Sequence, residues 1–148
     1  MDSIHMTAGI MTELIEINNL DPHTNYEEKL TDEGGDCLWY ISNYCNLHNI
    51  NPEFKSEVDG KGSLQWAGKL LDYDKKKLAY GKNYDRDRQI EAVNGLVNNL
   101  LFKITMYQLS PEDVMEKNIK KLRVRFPDKF QADLAINKDE SKESEVFK

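Results

Sequence analysis

The chain has 148 residues, a length typical of a single domain, and carries a net charge of −6 at pH 7. Hydrophobic residues make up 39% of it, enough to build a buried core. No apolar run approaches the roughly 18 residues of a membrane span, and the first twenty residues contain no Lys or Arg, unlike a signal peptide. A negative surface also disfavours long nucleic acid. We therefore expect a cytoplasmic protein that binds neither membranes nor long nucleic acid.

The two cysteines, Cys37 and Cys45, are predicted to be reduced and buried. They lie in one predicted helix, where eight residues correspond to about 12 Å along the axis. A disulfide requires Cα atoms within about 7 Å, so the two cannot form one. Two cysteines and three scattered histidines also disfavour a zinc site.

Helical spacing of apolar residues runs through the sequence and predicts an all-α bundle of about five helices. The first helix ends before Asp21-Pro22 and carries an apolar stripe. The members of that stripe are Ile4, Ala8, Met11 and Ile15. The second helix runs from an Asn25 cap, with Glu28 as capping partner, to about His48. Its stripe consists of Tyr26, Leu30, Cys37, Ile41 and Tyr44.

Three more helices are predicted further along the chain. One covers about residues 64–78, and the next runs from about Arg86 to Leu109. The broad apolar face of that fourth helix consists of Ile90, Val93, Val97, Leu100, Leu101 and Ile104. Ser110-Pro111 begins the fifth helix, with a cap followed by Pro at the first position, and Phe126-Pro127 ends it.

The domain is predicted to span residues 1–130, followed by a charged, flexible tail over 131–148. Residues 51–63 are predicted to link two helices. A faint internal repeat relates residues 36–44 to residues 99–107. Chance similarity between amphipathic helices explains it equally well, so a pseudo-duplication stays open at this point.

Two pairs of acidic residues are spaced i, i+3, so that both carboxylates of a pair project from one helix face. The first pair is Glu13 and Glu16, which could simply face water. The second is Glu33 and Asp36, and Glu33 falls inside the apolar stripe of the second helix. Burying a carboxylate costs several kcal/mol unless it is paired or bound to a metal. Gly34-Gly35, between these acids, indicates close approach of another helix or of a ligand.

If the two acidic pairs face each other, their oxygens form a cage suited to Mg²⁺ or Mn²⁺. On the fifth helix, Asn118, Lys121 and Arg125 share a face and could hold the oxygens of a phosphate chain. The alternative for that helix is a solvated basic face near a helix C-terminus.

Three blocks of the sequence together resemble the signature of the MazG-like, all-α nucleoside triphosphate pyrophosphohydrolases. The blocks are Glu13-Leu-Ile-Glu16, Glu33-Gly-Gly-Asp36-Cys-Leu-Trp-Tyr40 and Asn118-Ile-Lys-Lys121-Leu-Arg-Val-Arg125-Phe-Pro. The chain departs from the family pattern in having a long stretch over 49–109 and no Lys-rich turn after the first acidic pair. No P-loop motif is present.

The resemblance implies a Mg²⁺-dependent hydrolase that converts an NTP or dNTP to the monophosphate and pyrophosphate in nucleotide-pool house-cleaning. It assigns metal binding and catalysis to four acids, which are Glu13, Glu16, Glu33 and Asp36. It places Tyr40 in the nucleoside pocket. It also implies that three residues of the fifth helix contact the phosphates or the sugar, namely Asn118, Lys121 and Arg125. It also implies a homodimer or homotetramer, and Mn²⁺ as a substitute metal. The alternatives are a base-selective dUTPase- or dCTPase-like enzyme and an inactive helical interaction module.

Overall fold

The computed structural model describes residues 2–55 and 61–127, and within them the chain forms five α-helices and no strands. The helices are α1 (Ser3–Asn18), α2 (Tyr26–His48), α3 (Ser63–Tyr80), α4 (Arg86–Met106) and α5 (Pro111–Arg125). The prediction of an all-α bundle of about five helices is confirmed. The predicted tail over 131–148 lies outside the described residues, as do residues 56–60 of the predicted linker. Within the described ranges, no helix combines the length and the apolar character needed to cross a membrane.

The helix ends follow the predicted signals with two exceptions. Ser110 Oγ accepts a hydrogen bond from the Asp113 backbone N–H at 3.3 Å, as expected of the α5 cap. Asn25 does precede α2, but its side chain makes no capping hydrogen bond, because its backbone is left-handed (φ 49°) rather than extended. The predicted end of α4 at Leu109 is also wrong. The helix stops at Met106, and two residues later the left-handed backbone of Gln108 (φ 61°) turns the chain.

The helices pack as two pairs, α1 with α2 and α3 with α4, and α5 lies against α2 and α4. Helix α1 contacts both α2 and α3, α3 contacts α4, and α5 packs mainly on α2. Ser3 lies against His48, at the far end of α2, whereas Glu13 lies against Glu33 near its beginning. Helices α1 and α2 are therefore antiparallel. A duplication of this helix pair stays a prediction.

A single apolar core runs between the helices. From α2 it takes Leu30, Cys37, Ile41 and Tyr44, as the predicted stripe required, although Tyr26 is only partly buried. From α4 it takes Val93, Val97, Leu100 and Ile104, while Ile90 and Leu101 pack at its edge. Both cysteines are free and buried, as predicted.

The predicted buried face of α1 is wrong. Ile15 is 44% exposed and Ala8 is also exposed, and the buried side is instead formed by Met6, Ile10, Leu14 and Ile17. Both sets are apolar and helically spaced, so propensity does not choose between them. The choice follows from packing, because the observed side is the one that meets α2 and α3. The choice of buried face matters for the site, because Glu13 lies beside the observed face and points inward.

Close packing of α2 and α5 occurs at Gly35. A Cβ atom there would lie 3.0 Å from Cβ of Asn118 and 3.2 Å from the carbonyl oxygen of Val114. The close approach expected at Gly34-Gly35 is therefore made by a helix. This approach brings the polar side of α5 onto the acidic side of α2.

Candidate metal and phosphate site

Three of the four predicted acidic ligands meet between α1 and α2. One carboxylate oxygen each from Glu13, Glu33 and Asp36 lies within 4.8 Å of the other two. Glu16 is exposed and lies at the rim, where its carboxyl group hydrogen-bonds to Glu33, but it does not belong to this three-oxygen group. The alternative interpretation, in which Glu13 simply faces water, is wrong, because its side chain is half-buried within the cluster.

The carboxyl group of Glu13 contains an unsatisfied polar atom. Its Oε2 is buried and has no hydrogen-bond partner, and it is the only such side-chain atom in the part of the chain that the structure describes. Buried oxygens are normally hydrogen-bonded, and an exception calls for an explanation such as a bound ion or water. Together with the all-oxygen donor set, this atom fits a hard divalent cation such as Mg²⁺.

The acidic cluster holds protons more tightly than isolated carboxyl groups do. Burial, followed by hydrogen bonds with Glu13 and Glu16, raises the pKa of Glu33 to about 10. Burial and the charges of Asp36 and Glu16 raise the pKa of Glu13 to about 7, against a hydrogen bond with Glu33 that lowers it. The metal-free cluster therefore retains protons at neutral pH, and a divalent cation would displace them.

Helix α5 places two donors on a single oxygen of Asp36. Nδ2 of Asn118 donates to Asp36 Oδ1 at 2.7 Å, and Nζ of Lys121 donates to the same oxygen. Lys121 also donates to Asp32 Oδ1 at 2.8 Å. Burial raises the pKa of Asp36, although the charge and hydrogen bond of Lys121 act in the opposite direction. The pKa of Lys121 is also raised, because the effect of Asp36 and Asp32 exceeds the lowering caused by burial. The ammonium group is therefore charged and shared between two carboxylates.

These contacts remove the solvated-face alternative for two of the three predicted α5 residues. Asn118 and Lys121 are 3% and 2% exposed, so neither belongs to a solvated surface. Arg125 is half-buried, one helical turn beyond Lys121, and lines a cavity next to the acids. In the structure, Asn118 and Lys121 contact carboxylates.

The cavity has a volume of about 440 Å³ and connects the acidic cluster with a group of aromatic rings. Glu13 and Asp36 form one part of its wall, and the rings of His5, Trp39, Tyr40 and Phe126 contribute to the rest. Tyr40, the predicted pocket residue, has its ring edge-on to Trp39 with centroids 5.2 Å apart. The Tyr40 ring also lies against Gly9, where a Cβ would be only 2.6 Å from it. A flat aromatic ligand has suitable stacking partners here.

Two features of the site were not predicted from the sequence. Asp32 was overlooked, although its i, i+4 spacing from Asp36 places both on one face of α2 and could have revealed it. The inclusion of His5, Trp39 and Phe126 in the cavity depends on how three helices meet, for which the sequence carries no comparable signal.

Comparison with models of known protein families, with curated proteins and with solved structures finds no match for this chain. The resemblance to the MazG-like family therefore rests on the three sequence blocks. What the geometry defines is an all-α protein with an oxygen-rich acidic cluster beside an aromatic cavity.

Proposed function

We propose that this protein is a Mg²⁺-dependent nucleotide pyrophosphohydrolase that converts an NTP or dNTP to the monophosphate and pyrophosphate. The observation that carries the proposal is the convergence of oxygens from Glu13, Glu33 and Asp36, with Oε2 of Glu13 buried and unpartnered. The motif resemblance supplies the reaction class. The cellular role that follows is control of the nucleotide pool in the cytoplasm.

The proposal gives each side of the cavity a task. Glu13, Glu33 and Asp36 would hold the metal, and Glu16, which contacts Glu33 from outside this group, would be the fourth acid of the site. When bound, Mg²⁺ supplies charge neutralisation on the phosphates and polarises the attacking water. Tyr40 would stack on the base.

Helix α5 would serve the phosphate chain. Arg125 lines the cavity and offers a planar guanidinium group suited to phosphate oxygens. Lys121 and Asn118 lie deeper, on Asp36, and would place positive charge and an amide donor beside the metal. The resemblance also implies a homodimer or homotetramer, which sedimentation analysis would measure.

A purely structural acidic cluster is the competing explanation. Carboxyl groups that share protons can be stable without a metal, and the raised pKa of Glu33 fits that state. Such a cluster needs no unpartnered buried oxygen, however, and has no reason to adjoin a cavity large enough for a ligand.

The decisive experiment is a screen of the eight common NTPs and dNTPs with Mg²⁺, with pyrophosphate and orthophosphate measured separately. We expect monophosphate and pyrophosphate, no turnover in EDTA, and recovery with Mg²⁺ or Mn²⁺. Similar rates across the eight would indicate a house-cleaning enzyme, while a strong preference for dUTP or dCTP would indicate the base-selective alternative.

A matched pair of variants controls for contaminating activity. Glu33→Gln should reduce kcat by more than the roughly 10- to 100-fold typical of changes outside the metal's own ligands. Glu91→Gln removes an exposed carboxyl group of α4 and should leave kcat unchanged. Primary release of orthophosphate, or equal activity in both variants, would contradict the proposed function.

A further inference from the structure

Lys121 occupies a position in which its charge could either assist the acidic cluster or compete with a metal for it. Its side chain is 3% exposed, so water contributes little to stabilising the ammonium group. The nearest acceptors are Asp36, inside the cluster, and Asp32, one helical turn earlier on α2. Asp32 is 38% exposed and lies outside the three-oxygen group.

The hydrogen bonds divide the Asp36 carboxylate into two functional halves. Both α5 donors, Nδ2 of Asn118 and Nζ of Lys121, reach Oδ1, and neither reaches Oδ2. This arrangement fixes the orientation of the carboxylate and leaves its second oxygen for a cation. It depends on Lys121 staying beside Oδ1 and not moving further into the cluster.

Asp32 supplies that restraint. An ammonium group has three donors, and in Lys121 one of them is directed at Asp32 Oδ1 at 2.8 Å, a carboxylate outside the three-oxygen group. Without this acceptor, a buried ammonium group would have only the acids of the cluster as partners. It would then compete with a divalent cation for the same oxygens.

We propose that Asp32 is a positioning residue that holds Lys121 at the edge of the acidic cluster and so keeps Asp36 available to a divalent cation. The inference rests on the proposed function, because it concerns the metal affinity of the same site. Outer partners of metal ligands typically contribute 10- to 100-fold to metal affinity. We expect a loss of about that size when the Asp32 charge is removed.

The test measures Mn²⁺ binding to the full chain by electron paramagnetic resonance of the free ion, without nucleotide. Asp32→Asn should weaken binding about 10- to 100-fold. Glu28→Gln removes one charge from the same helix, one turn earlier, and should change binding less than about threefold, because charges near the surface are screened. Asp32→Glu restores a carboxylate and should recover most of the affinity.

A double-mutant cycle with Lys121→Met separates positioning from simple charge. If Asp32 acts through Lys121, then Asp32→Asn should have almost no effect on Mn²⁺ binding in the Lys121→Met background. Lys121→Gln provides the same cycle if the Met variant does not fold, as judged by circular dichroism.

The outcomes distinguish the two proposals. An equal loss in both backgrounds, or no loss in either, would overturn the role of Asp32 while leaving the metal site intact. Absence of Mn²⁺ binding by the unmodified protein would overturn both. Metal binding with the expected cycle but no nucleotide hydrolysis would support the positioning role and contradict the proposed function.

Discussion

Glu33 shows how one side chain can be costly in the metal-free protein and useful when a cation is present. Its carboxyl group faces Glu13, Glu16 and Asp36, while Lys121 donates to Oδ1 of Asp36 and to Asp32. Burial and these acidic neighbours raise its pKa to about 10. A cation would exchange for the proton, so the energetic conflict in the free protein is relieved by binding.

The pH dependence of stability follows from this shift. A carboxyl group with a folded pKa above its unfolded value of 4.5 contributes stability that is complete below about pH 4.5 and disappears as the pH rises towards 10. In EDTA, the Tm of the wild type should therefore fall between pH 5 and pH 9. Glu33→Gln mimics the protonated form, so its Tm should fall less over that range, as thermal melts would show.

Two additional measurements test the assignment to Glu33. Glu91→Gln, on the exposed side of α4, should give a Tm profile parallel to the wild type. Saturating Mg²⁺ should raise the Tm of the wild type through linkage and raise that of Glu33→Gln less. Parallel pH profiles for wild type and Glu33→Gln would contradict the buried, proton-sharing state of this carboxyl group.

Between elements, α2 carries two adjacent glycines with different neighbours, and the contact with α5 depends on the second of them. A Cβ at Gly34 would lie 3.5 Å from Cδ1 of Ile104, an ordinary contact. At Gly35 it would meet Asn118 at 3.0 Å and the backbone of Val114 at 3.2 Å, and the backbone atom cannot move without shifting α5. The two positions therefore form a matched pair.

We expect opposite effects from the same substitution at these positions. Gly34→Ala should stabilise the protein by up to about 1 kcal/mol, because Ala is the better helix former. Gly35→Ala should destabilise it by about 1–2 kcal/mol, since overpacking outweighs that gain, and should weaken Mn²⁺ binding by displacing Asn118 from Asp36. Urea unfolding with unchanged m-values measures both. Equal stabilities would show that α5 adjusts freely.

Much of this element-level organisation could be predicted from the sequence. The helices, the α2 stripe, the Ser110 cap and the close approach at Gly34-Gly35 all have local signals in residue type and spacing. The buried face of α1 could not be predicted, because two apolar sides compete and only the neighbouring helices decide. The contact of Lys121 with Asp32 could not be predicted either: spacing places Asp32 on the Asp36 face of α2, but the two partners lie 89 positions apart.

At the scale of the whole molecule, the α1–α2 pair is joined to the α3–α4 pair through contact of α1 with α3. Asp74 of α3 is buried in this junction, with 3% of its surface exposed. Ser3 donates to its Oδ1 at 2.6 Å, Thr7 to its Oδ2 at 2.7 Å and Tyr84 to its Oδ1 at 2.6 Å. Because the Ser3 proton is used here, His48 must donate its Nε2–H to Ser3 Oγ, 2.8 Å away. The network links α1, α2 and α3.

Asp74→Asn should therefore destabilise the whole bundle. The carboxylate accepts three hydroxyl donors, and hydrogen bonds to a charged group contribute about 1.5–3 kcal/mol each, so we expect a loss of about 2–4 kcal/mol after the hydroxyls of Ser3, Thr7 and Tyr84 reorient. For a chain of this length, that corresponds to a fall in Tm of roughly 4–16 °C, measured by calorimetry. Asp72→Asn, on the exposed side of the same helix, should leave the Tm unchanged. Mn²⁺ binding should persist in Asp74→Asn below its melting range, because the acidic cluster lies towards the other end of α1. Equal Tm values for the two variants would mean that the Asp74 hydrogen bonds contribute nothing measurable to joining the helix pairs.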